Sequence, residues 1–366
     1  MSIARDLAVF LTRASYADIP PQALEHAAML ISSTVASAAC GSGIGSASII
    51  RALARDRGGR PDASIWFDSG PRLPAADAAQ VNAVMSDAAA SDDSDLRNIV
   101  HAGTTLVATS FAIAERTGAS GQDVLAAIVL GYEASGRIGE AITPTFQARG
   151  FHGCLVAIFG GVVAAARLLQ LDEVQTAQAI ALSATSIGGL RAAADTSTAR
   201  EYHAGLAAML GIHATLAAQR GYVAEERILE THRGFCAVYG DTDGASITRG
   251  LGDSWDIITD MAIKLVPGGH PSHSPAEAAA NAATAGQVAP GGRDHNPVAT
   301  GCHRAYRADS PHRSYRHGAQ PRLLPGRWRS GPRILLVACN RGQDHGSCHP
   351  SVDRQGPGRF TADPGR

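Results

Sequence analysis

From the start of the chain to about residue 260, apolar residues recur at helical spacing, and most of the side chains filling those positions are alanine or glycine. Small residues on helix faces let helix axes approach closely, so the pattern restricts this stretch to tightly crossing helices. Alternating β-branched runs, which would mark a half-buried sheet, are almost missing. Capping signals divide the stretch. Pro20 and Pro21 open a helix running through ALEHAAMLISSTVASAA, and Gly41 to Gly45 end it; Gly103 to Arg116 form another, closed by Gly118; Gln122 to Ile138 follow. Asp172 caps DEVQTAQAIALSATS, and HAGLAAMLGIHATLAAQ stops at Gly221. One strand is expected at 63–67, ASIWF, as a small ribbon beside the bundle. No repeat of roughly 20 to 50 residues is present, which argues against a solenoid.

The chain has 366 residues, beyond the ~250 to 300 at which a single core stops growing, so two structural units are expected. Its net charge of −1 favours neither nucleic acid nor membrane, but the average conceals a division. Residues 1–290 carry 19 Lys plus Arg against 28 Asp plus Glu, whereas residues 291–366 carry 13 Arg against 5 Asp. The first residues place Arg5, Asp6 and Arg13 around a very short apolar stretch, which reads as a first helix rather than a secretory signal. The longest apolar run, Cys154 to Ala166, is 13 residues, short of the ~20 that span a bilayer, so a soluble cytoplasmic protein without a membrane partner is expected. Six cysteines without a CxxC pair suggest buried thiols rather than a disulfide framework, and no metal site.

Familiar motifs fail on inspection. GSGIGS at 41–46 follows a helix instead of a strand and has serine where the third glycine of a dinucleotide loop belongs. Asp93-Ser94-Asp95 could begin a calcium loop, but Asn98 and Thr104 replace the glycine and the glutamate it needs. Neither GxSxG nor HExxH occurs. What remains is a set of polar groups at helix ends. SDDSDLRNIVHAGTT at 91–105 contains Asp93 and His101 just before an apolar helix, whose free N–H groups favour an anion there. His152 also precedes an apolar helix; STAREYHAG supplies Arg200, Glu201, Tyr202 and His203; MAIKLVPGGHPSH supplies Lys264, His270 and His273. Lys264 is the only lysine in the chain. Taken singly, each of these groups reads more readily as a cap or structural contact than as a catalyst.

Together, the segments YADIPPQALEHAAMLI, DDSDLRNIVHAGT, GFHGCLVAIFGGVVAAARLLQLD, REYHAGLAAMLGIHATLAAQRGY and IKLVPGGHPSH resemble, in order, the MmgE/PrpD family, across residues 16 to about 288. That family includes 2-methylcitrate dehydratase, cis-aconitate decarboxylase and iminodisuccinate epimerase. The resemblance implies a mainly α protein: a large helical domain, here 1–265, followed by a smaller α+β lid whose start is 266–290. It also implies a homodimer, no cofactor, and a small di- or tricarboxylate substrate bound in the cleft between the domains. By position, Asp93 and His101 match the acidic cluster and the HPG-type histidine, with Ala102 in place of the usual proline. Lys264 matches the lysine of the IK-x-x-P segment. Arg200 stands where many members have lysine; arginine is no base at neutral pH but clamps carboxylates bidentately. The expected scheme has Asp93, His101 and Lys264 as catalytic residues, His101 and Asp93 sharing proton transfer and Lys264 beside a substrate carboxylate. His152, Arg200, His203 and His273 are expected to bind substrate.

The tail obeys other rules. Residues 291–366 contain 13 Arg, 8 Pro and 11 Gly without Lys or Glu, and show no sustained hydrophobic period. A basic, probe-like affinity for nucleic acid is one reading of it. A frame-shifted lid is the preferred one: synonymous codons for 311–329 can be chosen so that the next frame reads PTDLIGMAHSPAYFLAAGV, a lid-like segment. On this reading the tail is disordered and its arginines carry no function, no nucleic acid is bound, and the chain could be a non-catalytic helical scaffold instead of a complete lyase or epimerase.

Overall fold

A computed structural model describes residues 2–269 and 273–285. Helix α1 (Ile3–Arg13) is opened by Ser2, whose hydroxyl accepts the Arg5 N–H. Helices α2 (Pro21–Gly41), α3 (Gly45–Arg57) and α4 (Ala75–Ala88) precede a short strand, β1 (Asp93–Asp95). Then come α5 (Ala102–Thr117), α6 (Gly121–Ile142), the single turn α7 (Thr145–Ala148), α8 (Cys154–Leu168) and α9 (Glu173–Ser183). After α10 (Arg191–Thr196) and the long α11 (Ala199–Gln219), the chain forms α12 (Phe235–Gly240), α13 (Asp256–Thr259), strand β2 (Met261–Ile263) and α14 (His273–Ala285). Among the described residues the protein is mainly α, as expected, with only two short strands.

The caps read from sequence form as physical caps. Asp172 accepts the Gln175 N–H while the Gln175 side chain returns to the Asp172 N–H, a reciprocal pair that satisfies two helix-end donors. Gly118 ends α5 in the left-handed conformation, φ 71°, which glycine adopts without steric cost.

Two helices fill the interior. Every residue of α8 except Arg167 is buried, and in α4 only Asp77 and Ala88 escape burial. A helix that is apolar or small all round has no solvent face to spare, so it becomes the centre about which others pack. Helix α8 packs against α6, α5 and α11, and α4 against α2, α5 and α11. The α6–α8 crossing depends on Gly131, where a Cβ would lie 2.8 Å from the Gly160 carbonyl oxygen. Helix α2 is long and apolar enough, by length and composition, to cross a membrane, but it takes part in the bundle through α4, α6 and α5.

The strand expected at 63–67 is reduced to one bridge, Ala63 with Leu73. Side chains have taken over its backbone partners: Glu115 accepts the Ser64 N–H, Asn82 accepts the Trp66 N–H and donates to the Ser64 carbonyl. Phe67 then turns to a φ of 57°, where a strand cannot continue. Helix α14 lies in the 266–290 segment expected to begin the lid. The readings made for His270 and for 291–366, including the frame shift, fall outside the described residues.

Candidate active site

The site is assembled by the smallest sheet possible. Strands β1 and β2 pair antiparallel with Asp93 opposite Ile263, Ser94 opposite Ala262 and Asp95 opposite Met261. One more step along this register sets Asp92 opposite Lys264. Directly opposed residues of an antiparallel pair project to the same side, and successive residues project to opposite sides. The run Asp92-Asp93-Ser94-Asp95 is therefore divided by alternation. Asp92 faces Lys264, and Asp93 faces the bundle.

On the first side, Lys264 Nζ donates to Asp92 Oδ1 at 3.0 Å, with the two side chains only 1% and 0% exposed. The other carboxylate oxygen of Asp92 lies 3.4 Å from Nδ1 of His101, which also contacts the Asp93 carbonyl oxygen at 2.7 Å. Burial opposes ionisation of Asp92, but His101, Lys264 and Arg200 together outweigh it and hold the carboxyl below its usual range. Burial also pushes the His101 imidazole down; Asp92 resists, while Lys264 and Arg200 add to the fall. The imidazole is thus pushed towards its neutral form beside a carboxylate that already has a buried cation.

On the second side, Asp93 accepts the Gly103 N–H on both oxygens, at 3.0 and 3.1 Å, and the Tyr132 hydroxyl at 2.6 Å. The anion expected at the start of α5 is thus supplied by the chain itself. Burial, followed by the charge on Asp92, raises the Asp93 carboxyl to about 7 against the pull of Tyr132, Gly103 and Lys264. Gly103 permits this contact: a Cβ there would lie 2.7 Å from both Asp93 Oδ2 and the Tyr132 oxygen.

Arg200, near the start of α11, pairs through Nε with Asp87 Oδ2 at 3.1 Å. Burial drives Asp87 up to about 7, opposed first by Arg200 and reinforced by Asp92. With exposures of 23% and 25%, the side chains of His101 and Arg200 form the accessible edge of a group whose other members are sealed. His152 and His203 lie beside each other, ring centroids 5.1 Å apart, and both are held below the usual histidine range, chiefly by burial; for His152 the value falls to about 3. His152 also senses the charges of His101 and Arg200. His273 opens α14 and is half-buried.

The structure thus joins Lys264, His101 and Asp93 around β1, sets Arg200 at their edge, and pairs His152 with His203. Three residues that sequence reasoning passed over complete the arrangement. Asp92, not Asp93, touches the lysine; Asp87 holds Arg200; Tyr132 closes the far side. Nothing local in DDSD says which aspartate meets the lysine, and nothing local marks Asp87 or Tyr132 as site residues.

Beyond geometry, the MmgE/PrpD N-terminal domain matches residues 5–248. The chain belongs to the MmgE/PrpD family. Within it, the chain is similar to the cis-aconitate decarboxylase of Aspergillus terreus, at 28% identity over 280 residues, which cover 72% of this chain and 56% of the relative. It is also similar to the cis-aconitate decarboxylase-like protein oryM of Aspergillus oryzae, at 29% over 207 residues, covering 51% and 42% respectively. The cis-aconitate decarboxylase of Mus musculus is 29% identical over 223 residues, covering 59% of this chain and 46% of that protein. The chain spans about half the length of the curated relatives it matches. These relationships place the protein in a lyase-type enzyme family by ancestry.

Proposed function

We propose that this MmgE/PrpD member is a lyase for a small di- or tricarboxylate, with decarboxylation or dehydration next to a carboxylate as its reaction. The observation that carries this reading is the buried Lys264–Asp92 pair with His101 on the same carboxylate: a fixed cation and an imidazole share one anchor. Arg200 meets one substrate carboxylate at the accessible edge, with His152 and His203 nearby. In a decarboxylation of the cis-aconitate type, the bond from carbon to the departing carboxyl breaks and CO2 leaves. The electron pair spreads into the adjacent unsaturated carboxylate, and a carbon atom takes up one proton. Positive charge from Lys264 and Arg200 stabilises the spreading negative charge, and His101 handles the proton. In a dehydration the same imidazole, whose burial favours the neutral form, removes a proton from carbon first.

Asp92 in this scheme orients His101 and Lys264, and Asp93 anchors the start of α5, on which His101 sits. Asp93 therefore acts as a positioning residue. The protein is proposed to work as a homodimer without a cofactor. The test is incubation of the purified full chain with cis-aconitate, 2-methylcitrate and iminodisuccinate in D2O, followed by proton NMR. Loss of cis-aconitate or 2-methylcitrate with deuterium at the new or exchanged carbon is expected. Epimerisation of iminodisuccinate alone would move the reading to an isomerase; inertness toward all three would favour the scaffold reading.

A further inference from the structure

His152, Cys154 and His203 are brought together from two separate helix starts. His152 sits just before α8, Cys154 is the first residue of α8, and His203 lies in the second turn of α11. One ligand atom from each lies within 4.8 Å of the other two. Nδ1 of His203 is buried and, among the described residues, has no hydrogen-bond partner. Nδ1 of His152 carries a lone pair, accepting a long hydrogen bond of 3.4 Å from the Cys154 nitrogen that a metal ligand bond can replace. Gly189 lines the same spot: an added Cβ would come within 2.7 Å of Cys154 Sγ and 3.1 Å of His203 Nδ1. Its loop is tied in place, because the His152 N–H donates to the Gly189 carbonyl at 2.9 Å.

We propose that His152, Cys154 and His203 form a three-ligand site for a divalent transition metal of the zinc type. One sulfur and two imidazole nitrogens suit a borderline-soft cation, and three protein ligands leave a fourth position for water or a carboxylate. Zinc–sulfur and zinc–nitrogen bonds of about 2.3 and 2.0 Å put tetrahedral ligand atoms roughly 3.3 to 3.5 Å apart, so the side chains close by about 1 Å on binding. The orphaned nitrogen of His203 then gains a partner. Binding replaces the Cys154 S–H bond by an S–metal bond, releases that proton to buffer and changes no oxidation state. The sequence pattern concealed this site, since the ligands form no CxxC pair and His203 is about 50 residues away from the others. The site stands without the lyase reading; if both hold, metal removes two imidazoles from substrate binding.

The full chain, stripped with chelator, would be titrated with Co2+ and followed by absorption. A thiolate-to-cobalt charge-transfer band with the visible intensity of four-coordination is expected. The chain has six cysteines, so the readout is the difference from variants. Cys154→Ser is expected to abolish the band assigned to this site, Cys40→Ser and Cys236→Ser to keep it, and His203→Ala to weaken Co2+ binding at least about tenfold. A band equally strong in Cys154→Ser overturns the proposal. Should Cys154→Ser fail to fold by circular dichroism, Gly189→Ala, which keeps all three ligands but crowds the metal position, decides: weaker Co2+ binding supports the site and unchanged affinity overturns it. None of these readouts depends on turnover, so failure here leaves the lyase reading standing, and the reverse.

Discussion

Asp92 and Asp93 are neighbours in the chain and equally buried, but the two sides of β1 treat them in opposite ways. The Asp92 side offers charge, from His101, Lys264 and Arg200; the Asp93 side offers chiefly dipoles, the Tyr132 hydroxyl and the Gly103 N–H, with Lys264 contributing less. Among the described residues both Asp93 oxygens accept hydrogen bonds whereas Asp92 Oδ2 accepts none, but only nearby positive charge repays the loss of water around a negative charge. Hence one carboxyl is held low and the other rises to about 7. The lesson is that depth of burial alone does not decide ionisation; the partner on each face does.

The largest effect should come from removing the cation. Lys264→Met is expected to cost about 3–5 kcal/mol, the penalty for stranding a buried partner charge, and to end turnover. Adding Asp92→Asn should recover most of the stability, seen in urea unfolding, without restoring turnover. If the double variant is no more stable than the single, the charged-face account is wrong. On the dipolar side, Tyr132→Phe deprives Asp93 of a buried donor and should cost about 1.5–3 kcal/mol, while the folded fraction keeps most of its turnover. Gly103→Ala forces a methyl against Asp93 and Tyr132 and should cost about 1–3 kcal/mol by the same measurement. A turnover loss in either variant as complete as that of Lys264→Met would erase the distinction between the two faces.

The smallest effect is a slope. The folded pKa of Asp93 is raised from 3.8 to about 7, so the native state binds this proton more tightly than the unfolded chain. Its stabilising contribution is present below the unfolded value and is lost as pH rises through about 7; Asp87 behaves alike. His152, lowered to about 3, acts in reverse and favours the unfolded chain as pH falls below 6.5. Urea midpoints at several pH values between 5 and 8 should fall less with rising pH in Asp93→Asn than in the wild type. An unchanged slope would mean that Asp93 is not the raised carboxyl.

The helices were legible because their ends are written locally: Asp172 with Gln175, Ser120 with Asp123, and Gly118 each mark a boundary within four residues. The site was legible only in part. Asp93, His101 and Lys264 were singled out from separate segments, and the fold does gather them, but the carboxylate that meets the lysine is Asp92, one residue before the aspartate singled out. Strands of three residues lie below the length at which alternation can be detected, so the pairing that decides between Asp92 and Asp93 could not be read. The expected strand at 63–67 failed for the opposite reason, since its apolar pattern was suitable but Glu115 and Asn82 capture its backbone groups. The cluster of His152, Cys154 and His203 depends on α8 and α11 beginning side by side, a tertiary fact with no local trace.

The three-rung ladder between β1 and β2 also sets an order of events during synthesis. Its strands are separated by more than 160 residues of chain, whereas α4, α5, α6 and α8 leave the ribosome in succession and can pack as they appear. Until residue 264 emerges, the nascent bundle must hold Asp92 without its cation. It can do so only by keeping that segment wet or protonated, so the seam beside β1 dries only after residue 264 has emerged, and until then a chaperone or protease would find the growing protein open there.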